Sequence, residues 1–505
     1  MTERLLTPAT VELMRTLTTR FGERRNEVLA LGEARLEALR KGEIGLLPDT
    51  EKIRKAEWQV DPVQAELLER RVELIGGCSR KELIEGLNAG AKSYVADLWN
   101  MTPNEPGPIL RAHKNIERAT DNRLVYVDID GGRVRINPKS ITRLMIVPRP
   151  MRAMDHVMEE HGEPVPAAFF DLALHALLNG EKLRLRQGGV YLYLRGLLGH
   201  EEAKLWNDLF SFLEDHFKMP QGSFRATVMM DSLAAVLEAD EILFELKHHS
   251  AGLSLDPQTY ASDHLTLFSS PELPILPDRE HIGLNAKFLH SVSVRTISIC
   301  HRRQAHAMGG PSFILPPDAN GVMKPGYLEM IADKEREAVD GHDGTLVGHP
   351  GLVNPAMTEF NKSMPRAHQM YYQRPDRTIP ADLVEPPKGS LTTDGIQRCI
   401  RTVLRAMVTY PESQGLITQG GRLHDRSSVR LSTLLMWHWT RSKACYITET
   451  GLEIHDDVVK YMIRKEGEKM FAKAEPEIRE RSRAAVQRFT ELVLSPEVPP
   501  DILGE

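Results

Sequence analysis

The sequence predicts an α/β protein: a (β/α)8 TIM-type barrel with helical segments at both ends. From about residue 70, short apolar runs recur, each ending in a polar or charged residue, with amphipathic helical stretches between several of them. Apolar strands alternating with helices indicate a mainly parallel sheet. The number of such units suits a closed barrel better than an open sheet.

At the amino-terminal end, Thr7-Pro8 supplies a cap followed by proline at the first helical position. Val11, Leu13, Met14, Leu17 and Phe21 then fall close to one face. A second charged, leucine-rich helix carries Leu31, Leu36 and Leu39 and ends at Leu-Pro-Asp, 47–49. The apolar runs are SYVADLWN (93–100), RLMIVPRP (143–150), VYLYLRG (190–196), ATVMMDS (226–232), HAMGG (306–310) and TLVGHP (345–350). Helices are expected at EEAKLWNDLFSFLEDHF (201–217) and LAAVLEADEILFELKHH (233–249). RLVYVDIDGGRVRI (123–136) reads instead as an inserted β-hairpin, two alternating runs joined at Asp-Gly-Gly. In a barrel the polar residues that close the strands converge on one face, which places Asp97, Arg149, Arg195 and Asp231 in a single cleft. Residues 351–390 are proline-rich and irregular, as in a linker or surface excursion, and from about 391 the pattern is helical to the end. A last helix starts at Pro476 and carries Ile478, Val486, Phe489 and Leu492. The expected divisions are 1–65, 66–390 and 391–505.

A formal net charge of −6 gives no basic field for a nucleic acid, so small-molecule partners are expected and no nucleic acid. No run approaches the ~20 apolar residues of a membrane span. The stretch MTERLLTPAT has no apolar signal core. Cys78, Cys300, Cys399 and Cys445 are far apart and form no CxxC pair, which suits reduced thiols in a cytoplasmic protein.

The stretch DGHDGTLVGHP (340–350) concentrates two carboxylates, two histidines and three glycines. His342 and His349 stand seven apart, a poor spacing for metal ligands on one element. The glycines allow close backbone approach, to a ligand or within a tight loop. CHRRQAHAMGG (300–310) leaves the same alternatives open.

HSAGL (249–253), CHRRQAHAMGG and DGHDGT…HPGL, in that order, resemble the A-type malate synthases. ERRVELIGG (69–77), LNAGAKSYVADL (87–98), GEPVPAAFFD (162–171) and HEEAKLWND (200–208) are similar to the same family's earlier blocks. The resemblance runs from roughly residue 5 to 470. It implies an N-terminal helical clasp, a barrel and a C-terminal helical plug. It also implies condensation of acetyl-CoA with glyoxylate on Mg²⁺, followed by hydrolysis of the thioester. That chemistry needs a carboxylate base against a methyl group and positive charge beside the aldehyde oxygen.

Residue by residue, the resemblance implies Asp425 as the base and Arg149 as the group that polarises the aldehyde. Asp425 also suits a helix N-cap, and Arg430 stands where the family has glutamate. Asp231 takes the place of the first metal-binding carboxylate. The second falls on Thr259, with Asp256 three residues earlier as a substitute. Trp99 and Asn100 replace an acidic pair, Asp97 remains, and Arg195 is the nearby cation in a segment that has lost the family's lysine. His306, Met308, Gly309, His342, Asp343, His349 and Pro350 are implied lining at the acyl-CoA end. The expectation is an enzyme that condenses an acyl-CoA with a 2-oxo acid other than glyoxylate, with Mg²⁺ weak or absent. Its rivals are ordinary malate synthesis and a non-catalytic binding protein.

Overall fold

The computed structural model describes residues 5–159, 164–269, 275–410 and 415–503; residues 1–4 and 162–163, which open two of the stretches quoted above, lie outside them. The chain divides into two compact units, residues 1–256 with 294–377, and residues 257–293 with 378–505.

The first unit is a closed barrel of eight strands: β1 Val72–Gly76, β2 Ser93–Asp97, β3 Arg143–Val147, β4 Val190–Leu194, β5 Phe224–Met230, β6 Ser250–Leu255, β7 Ala307–Ser312 and β8 Gly344–Val347. All pair in parallel with their neighbours in sequence, and β8 closes on β1 through Val72 opposite Thr345. The strands are buried on both faces, which is why they appear in the sequence as continuous apolar runs. Six of the eight were legible that way. β1 and β6 were visible only through the family blocks around them.

At the amino-terminal end of the strands the buried carboxylate of β1 is matched by an arginine. Arg70 forks onto Glu73, with Nε 2.9 Å from Oε1 and Nη2 3.0 Å from Oε2. It also donates to the Ala251 carbonyl at 2.7 Å and to Tyr193 Oη at 2.8 Å, while Ser93 Oγ donates to Glu73 at 3.1 Å. One ion pair thereby ties together β1, β2, β4 and β6. Glycines make room for it. A Cβ on Gly344 would stand 1.9 Å from the Arg70 carbonyl oxygen. Gly252, at φ +109°, would carry one 2.0 Å from the His306 carbonyl.

Three sequence expectations are corrected. The amino-terminal segment is one helix, Pro8–Arg40, capped by Thr7 Oγ1 accepting from Thr10 N at 3.2 Å. It ends just before Gly42, whose φ of +86° turns the chain, and not at 47–49. Leu31 lies on its solvent side, 57% exposed, so leucine content overstated the apolar face there. The stretch 233–249 forms two short helices, Leu233–Leu237 and Ala239–Glu245. Glu238, between them, leaves helical geometry, and its carboxylate takes the His200 backbone N–H at 3.1 Å and ring Nδ1 at 2.7 Å. The proline-rich region contains a further helix, Val353–Ser363, which buries Val353, Ala356 and Phe360 and packs on β1 and β8. The hairpin is as expected, with Val125–Val127 antiparallel to Arg133–Arg135.

The second unit is helical. Thr393–Thr409, Arg426–Arg441, Asp456–Phe471 and Pro476–Leu494 pack together, and Pro257–Leu267 lies on Arg426–Arg441. The Trp437 and Trp439 indoles donate to the carbonyls of Ser495 and Leu276 at 3.0 and 2.7 Å. Among the described residues no helix is long and apolar enough to cross a membrane. All four cysteines are buried and free.

The barrel packing predicts unequal costs for two glycine substitutions. Gly344→Ala forces a methyl onto backbone and should lower stability by about 1–3 kcal/mol or more. Gly45→Ala, with nothing within 4 Å of the new methyl, should stay within about 1 kcal/mol of wild type in urea unfolding.

Candidate functional site

Asp97 ends β2, Arg195 follows β4, Asp231 follows β5, and Asp256 follows β6, so all four stand at the carboxyl-terminal mouth of the barrel. The mouth is where a barrel of this kind carries its chemistry. Arg195 organises it. Its Nη1 donates to Asp256 Oδ2, and its Nη2 lies 3.5 Å from Asp97 Oδ2. The other Asp97 oxygen accepts the backbone N–H groups of Trp99 and Asn100, both at 2.8 Å, which fixes the turn beyond β2. Asp231 Oδ2 accepts the Gly196 N–H at 2.9 Å, whereas its Oδ1 is buried and accepts no hydrogen bond. Burial, reinforced by Asp256 and offset in part by Arg195, pushes the Asp231 carboxyl up to about 7. Burial also raises Asp97, against the pull of Arg195. Two of the three carboxylates thus share one guanidinium, Asp231 feels it and Arg152 only through space, and the mouth is short of positive charge.

Arg149, two residues beyond β3, is held apart from that cluster. Its backbone N–H donates to Asp171 Oδ2 at 2.8 Å. Its guanidinium donates to Asp171 Oδ1 at 2.8 Å, Asp155 Oδ2 at 2.7 Å and Asn104 Oδ1 at 2.9 Å. These bonds leave one N–H on Nη1. Burial works against its charge, but Asp171 and Asp155 outweigh burial and raise the guanidinium pKa. Asp171, between Arg149 and the His113 ring at 2.9 Å, is brought down to about 2. The sequence reading missed both aspartates. The signal was present in AAFFDLAL, where a lone carboxylate on an otherwise apolar helix requires a buried partner. Trp99 is 8% exposed and packs on Ala153 and Ala167.

Glu202 was also missed. It shares a helix face with Leu205, Trp206, Leu209 and Leu213, all buried, so its spacing already marked it as an inward-facing acid. Burial pushes it up to about 7; the Leu198 N–H at 3.3 Å and Arg152 pull it down, and Asp231 pushes it further up.

The histidine and glycine blocks lie elsewhere. His306 precedes β7, and His342 and Asp343 precede β8, so they occupy the amino-terminal end of the barrel, opposite the mouth. Asp343 Oδ2 accepts from the His301 ring at 3.2 Å and from the Ala307 N–H at 2.7 Å. His306 Nε2 donates to the Leu68 carbonyl at 2.9 Å, and His342 Nδ1 donates to the Ala307 carbonyl at 3.3 Å. Burial depresses both imidazoles, to about 4 and about 3. Met308 is fully buried in β7. Gly309 admits a helix side chain, since a Cβ there would stand 2.4 Å from Glu337. His349 and Pro350 follow β8 and do lie at the mouth, but His349 Nδ1 accepts the Gly351 N–H at 3.0 Å as a helix cap.

In the second unit, Asp425 caps Arg426–Arg441. Its Oδ1 accepts the Ser428 N–H at 2.9 Å and the Ser427 hydroxyl at 2.7 Å, and the side chain is 1% exposed. Arg279 donates to Ser428 Oγ at 2.8 Å and places a buried cation close by. Thr259 lies in the helix Pro257–Leu267 of the same unit.

The family model described as "Malate synthase, TIM barrel domain" matches residues 143–386. The chain is 32% identical over 438 residues to malate synthase of Myxococcus xanthus (strain DK1622), covering 86% of this chain and 81% of that protein. It is 31% identical over 448 residues to malate synthase A of Escherichia coli (strain K12), covering 86% and 83%. The chain belongs to the malate synthase family. Among solved structures, Haloferax volcanii malate synthase in a pyruvate/acetyl-CoA ternary complex aligns at 12% identity and TM-score 0.47, over 85% of this chain and 99% of that one. Malate synthases are acyltransferases that perform a Claisen condensation, with acetyl-CoA and Mg²⁺. Among the described residues, no three His, Cys, Asp or Glu side chains gather as a metal-binding group.

The raised Glu202 carboxyl makes a pH prediction. Its folded pKa of about 7 lies above the ordinary 4.5, so across that interval the folded chain holds a proton that the unfolded chain has lost. Stability therefore falls as pH rises through the window. Glu202→Gln should match wild type near the low end of the window. At pH ~8 it should be more stable, by something on the order of 3 kcal/mol in urea unfolding.

Proposed function

We propose that this malate synthase family member condenses an acyl-CoA of the acetyl-CoA type with a 2-oxo acid other than glyoxylate. The observation that carries the altered acceptor is the rebuilt mouth. A buried indole, Trp99, and the neutral Asn100 follow Asp97 where the family resemblance implies two acids, and an arginine lies between Asp97 and Asp256. Less negative charge and more apolar bulk favour an acceptor with a side chain beyond the aldehyde hydrogen of glyoxylate.

In this reading Asp425 takes a proton from the carbon next to the thioester carbonyl. The resulting enolate carbon attacks the 2-oxo carbon, and the oxo oxygen becomes an alkoxide. The remaining N–H of Arg149 is suited to that oxygen, because Asp155 and Asp171 hold the guanidinium in one orientation before substrate arrives. Water then cleaves the thioester and frees CoA as the thiol. Support for the base is the placement of Asp425 in the family's order of blocks, together with its burial close to the Arg279 guanidinium.

The side chains present do not fit the family's Mg²⁺, which would supply a Lewis acid for the oxo oxygen. A divalent ion is held mainly by carboxylates. Here Asp231 keeps the first family position, but the second is the neutral Thr259, and its substitute Asp256 is engaged by Arg195. No step above is routed through a metal.

Two substitutions separate the roles of Asp425. Asp425→Asn retains a cap, so unfolding should hardly change, while exchange of the acyl-CoA α-protons with deuterated solvent should fall by at least ~10²-fold. Asp425→Ala should in addition lose about 0.5–2 kcal/mol of stability. Undiminished exchange in the Asn variant would leave Asp425 as a cap alone. Initial rates with glyoxylate, pyruvate and longer 2-oxo acids test the acceptor, and glyoxylate as the best of them would restore ordinary malate synthesis.

A further inference from the structure

We infer that the Arg195 guanidinium stands in for the divalent ion of this family: it is the fixed cation of the mouth, and the carboxylate or oxo oxygen of the acceptor binds against it. The identity of that acceptor rests on the condensation proposed above, but the cation's place does not.

The argument begins with position. Arg195 follows β4 directly, a strand paired with β3 as far as Leu192 and with β5 as far as Leu194. Its side chain is 4% exposed and reaches Asp256, after β6, and Asp97, at the end of β2. The next residue, Gly196, gives its N–H to Asp231 at 2.9 Å. The same short segment therefore contacts all three mouth carboxylates, each at most 2% exposed.

Three buried acids reached from one short segment need positive charge, since buried carboxylates cannot stay ionised without it. The guanidinium meets that need in part and leaves Asp231 Oδ1 buried without a hydrogen bond. A divalent ion would use the same carboxylate oxygens, so ion and guanidinium exclude each other. A guanidinium is also a competent partner for a 2-oxo acid, because its planar fork matches a carboxylate. Such a cation neither needs loading nor is removed by chelators.

The test is a gain of metal binding. Mn²⁺ binding, followed by its electron paramagnetic resonance signal, should be weak in the wild type. It should tighten by at least about tenfold in Arg195→Met, where the guanidinium no longer competes for Asp97 and Asp256. Adding Asp231→Asn to that variant should abolish the gain. Arg195→Lys, which retains a cation, should bind Mn²⁺ as weakly as wild type. Whatever acyl-CoA turnover the wild type shows should survive exhaustive chelation. Tight Mn²⁺ binding by the wild type, lost on Asp231→Asn or Asp256→Asn, would overturn the inference, as would an Arg195→Met protein that melts like wild type yet gains no affinity. If Arg195→Met does not fold, the wild-type and Arg195→Lys titrations decide the matter alone. A failed condensation with intact metal behaviour would count against the proposed reaction and not against the cation's place.

Discussion

The structure depends on how charge is compensated inside a closed barrel. Eight parallel strands buried on both faces leave no solvent to screen a carboxylate, so each acid on them must meet a cation or give up its charge. At the amino-terminal end this is met in full. Arg70 and Glu73 satisfy each other in a fork and draw Ser93, Tyr193 and the Ala251 carbonyl into one network. On the same principle, Lys334 meets Glu337 at 3.1 Å and reaches the Gly310 carbonyl at 2.6 Å, which locks a helix onto β7. Removing one member of either ion pair leaves a buried charge and costs about 3–5 kcal/mol. At the carboxyl-terminal end compensation is incomplete, and Asp231 and Glu202 carry the deficit as raised proton affinities. The contrast marks one end as scaffold and the other as site.

The same contrast explains the stretch from Asp340 to Pro350. Its residues look reactive, but most of them serve the scaffold end. Asp343 draws its charge compensation from His301 and backbone N–H groups, and the histidines beside it are neutral donors to carbonyls. The glycines permit backbone-to-backbone contact that any side chain would block, most severely at Gly344 and Gly252. Glycine and histidine runs can therefore report close packing as readily as ligand contact, and the end of the strand they occupy distinguishes the two.

Much of the fold was legible because burial on both faces turns a strand into an uninterrupted apolar run. β6 escaped that reading because Ser250, Gly252 and Ser254 dilute its apolar content, Gly252 for the reason just given. The break at Glu238 was hidden because helix periodicity is nearly unchanged across it, and its cause, the pull of His200, comes from a distant part of the sequence. The mouth was legible as a set of strand-closing residues but not as a set of contacts. Nothing in IVPRP states that Arg149 turns to Asp155 and Asp171, or in YLRG that Arg195 turns to Asp97 and Asp256. Those choices follow from which carboxylates the fold brings within reach, and that is a property of the closed barrel.

Arg149 and Arg195 then differ in what they can do, although both are buried strand-end arginines. Arg149 faces two aspartates that hold its guanidinium from one side, so its charge is nearly spent and its value lies in the direction of its remaining N–H. Arg195 is the buried cation that reaches Asp97 and Asp256, and Arg152 adds only a weaker pull on Asp231, so its neighbourhood retains negative charge and an incoming anion meets a mixed field. An acceptor carboxylate is favoured there only if a mouth acid is neutral when it binds. Burial and Asp256 raise the Asp231 carboxyl, which is how the mouth answers its own excess of negative charge. In the condensation proposed above, the arginine would provide the fork for the acceptor's carboxylate, in the place where the family's divalent ion would balance the same acids.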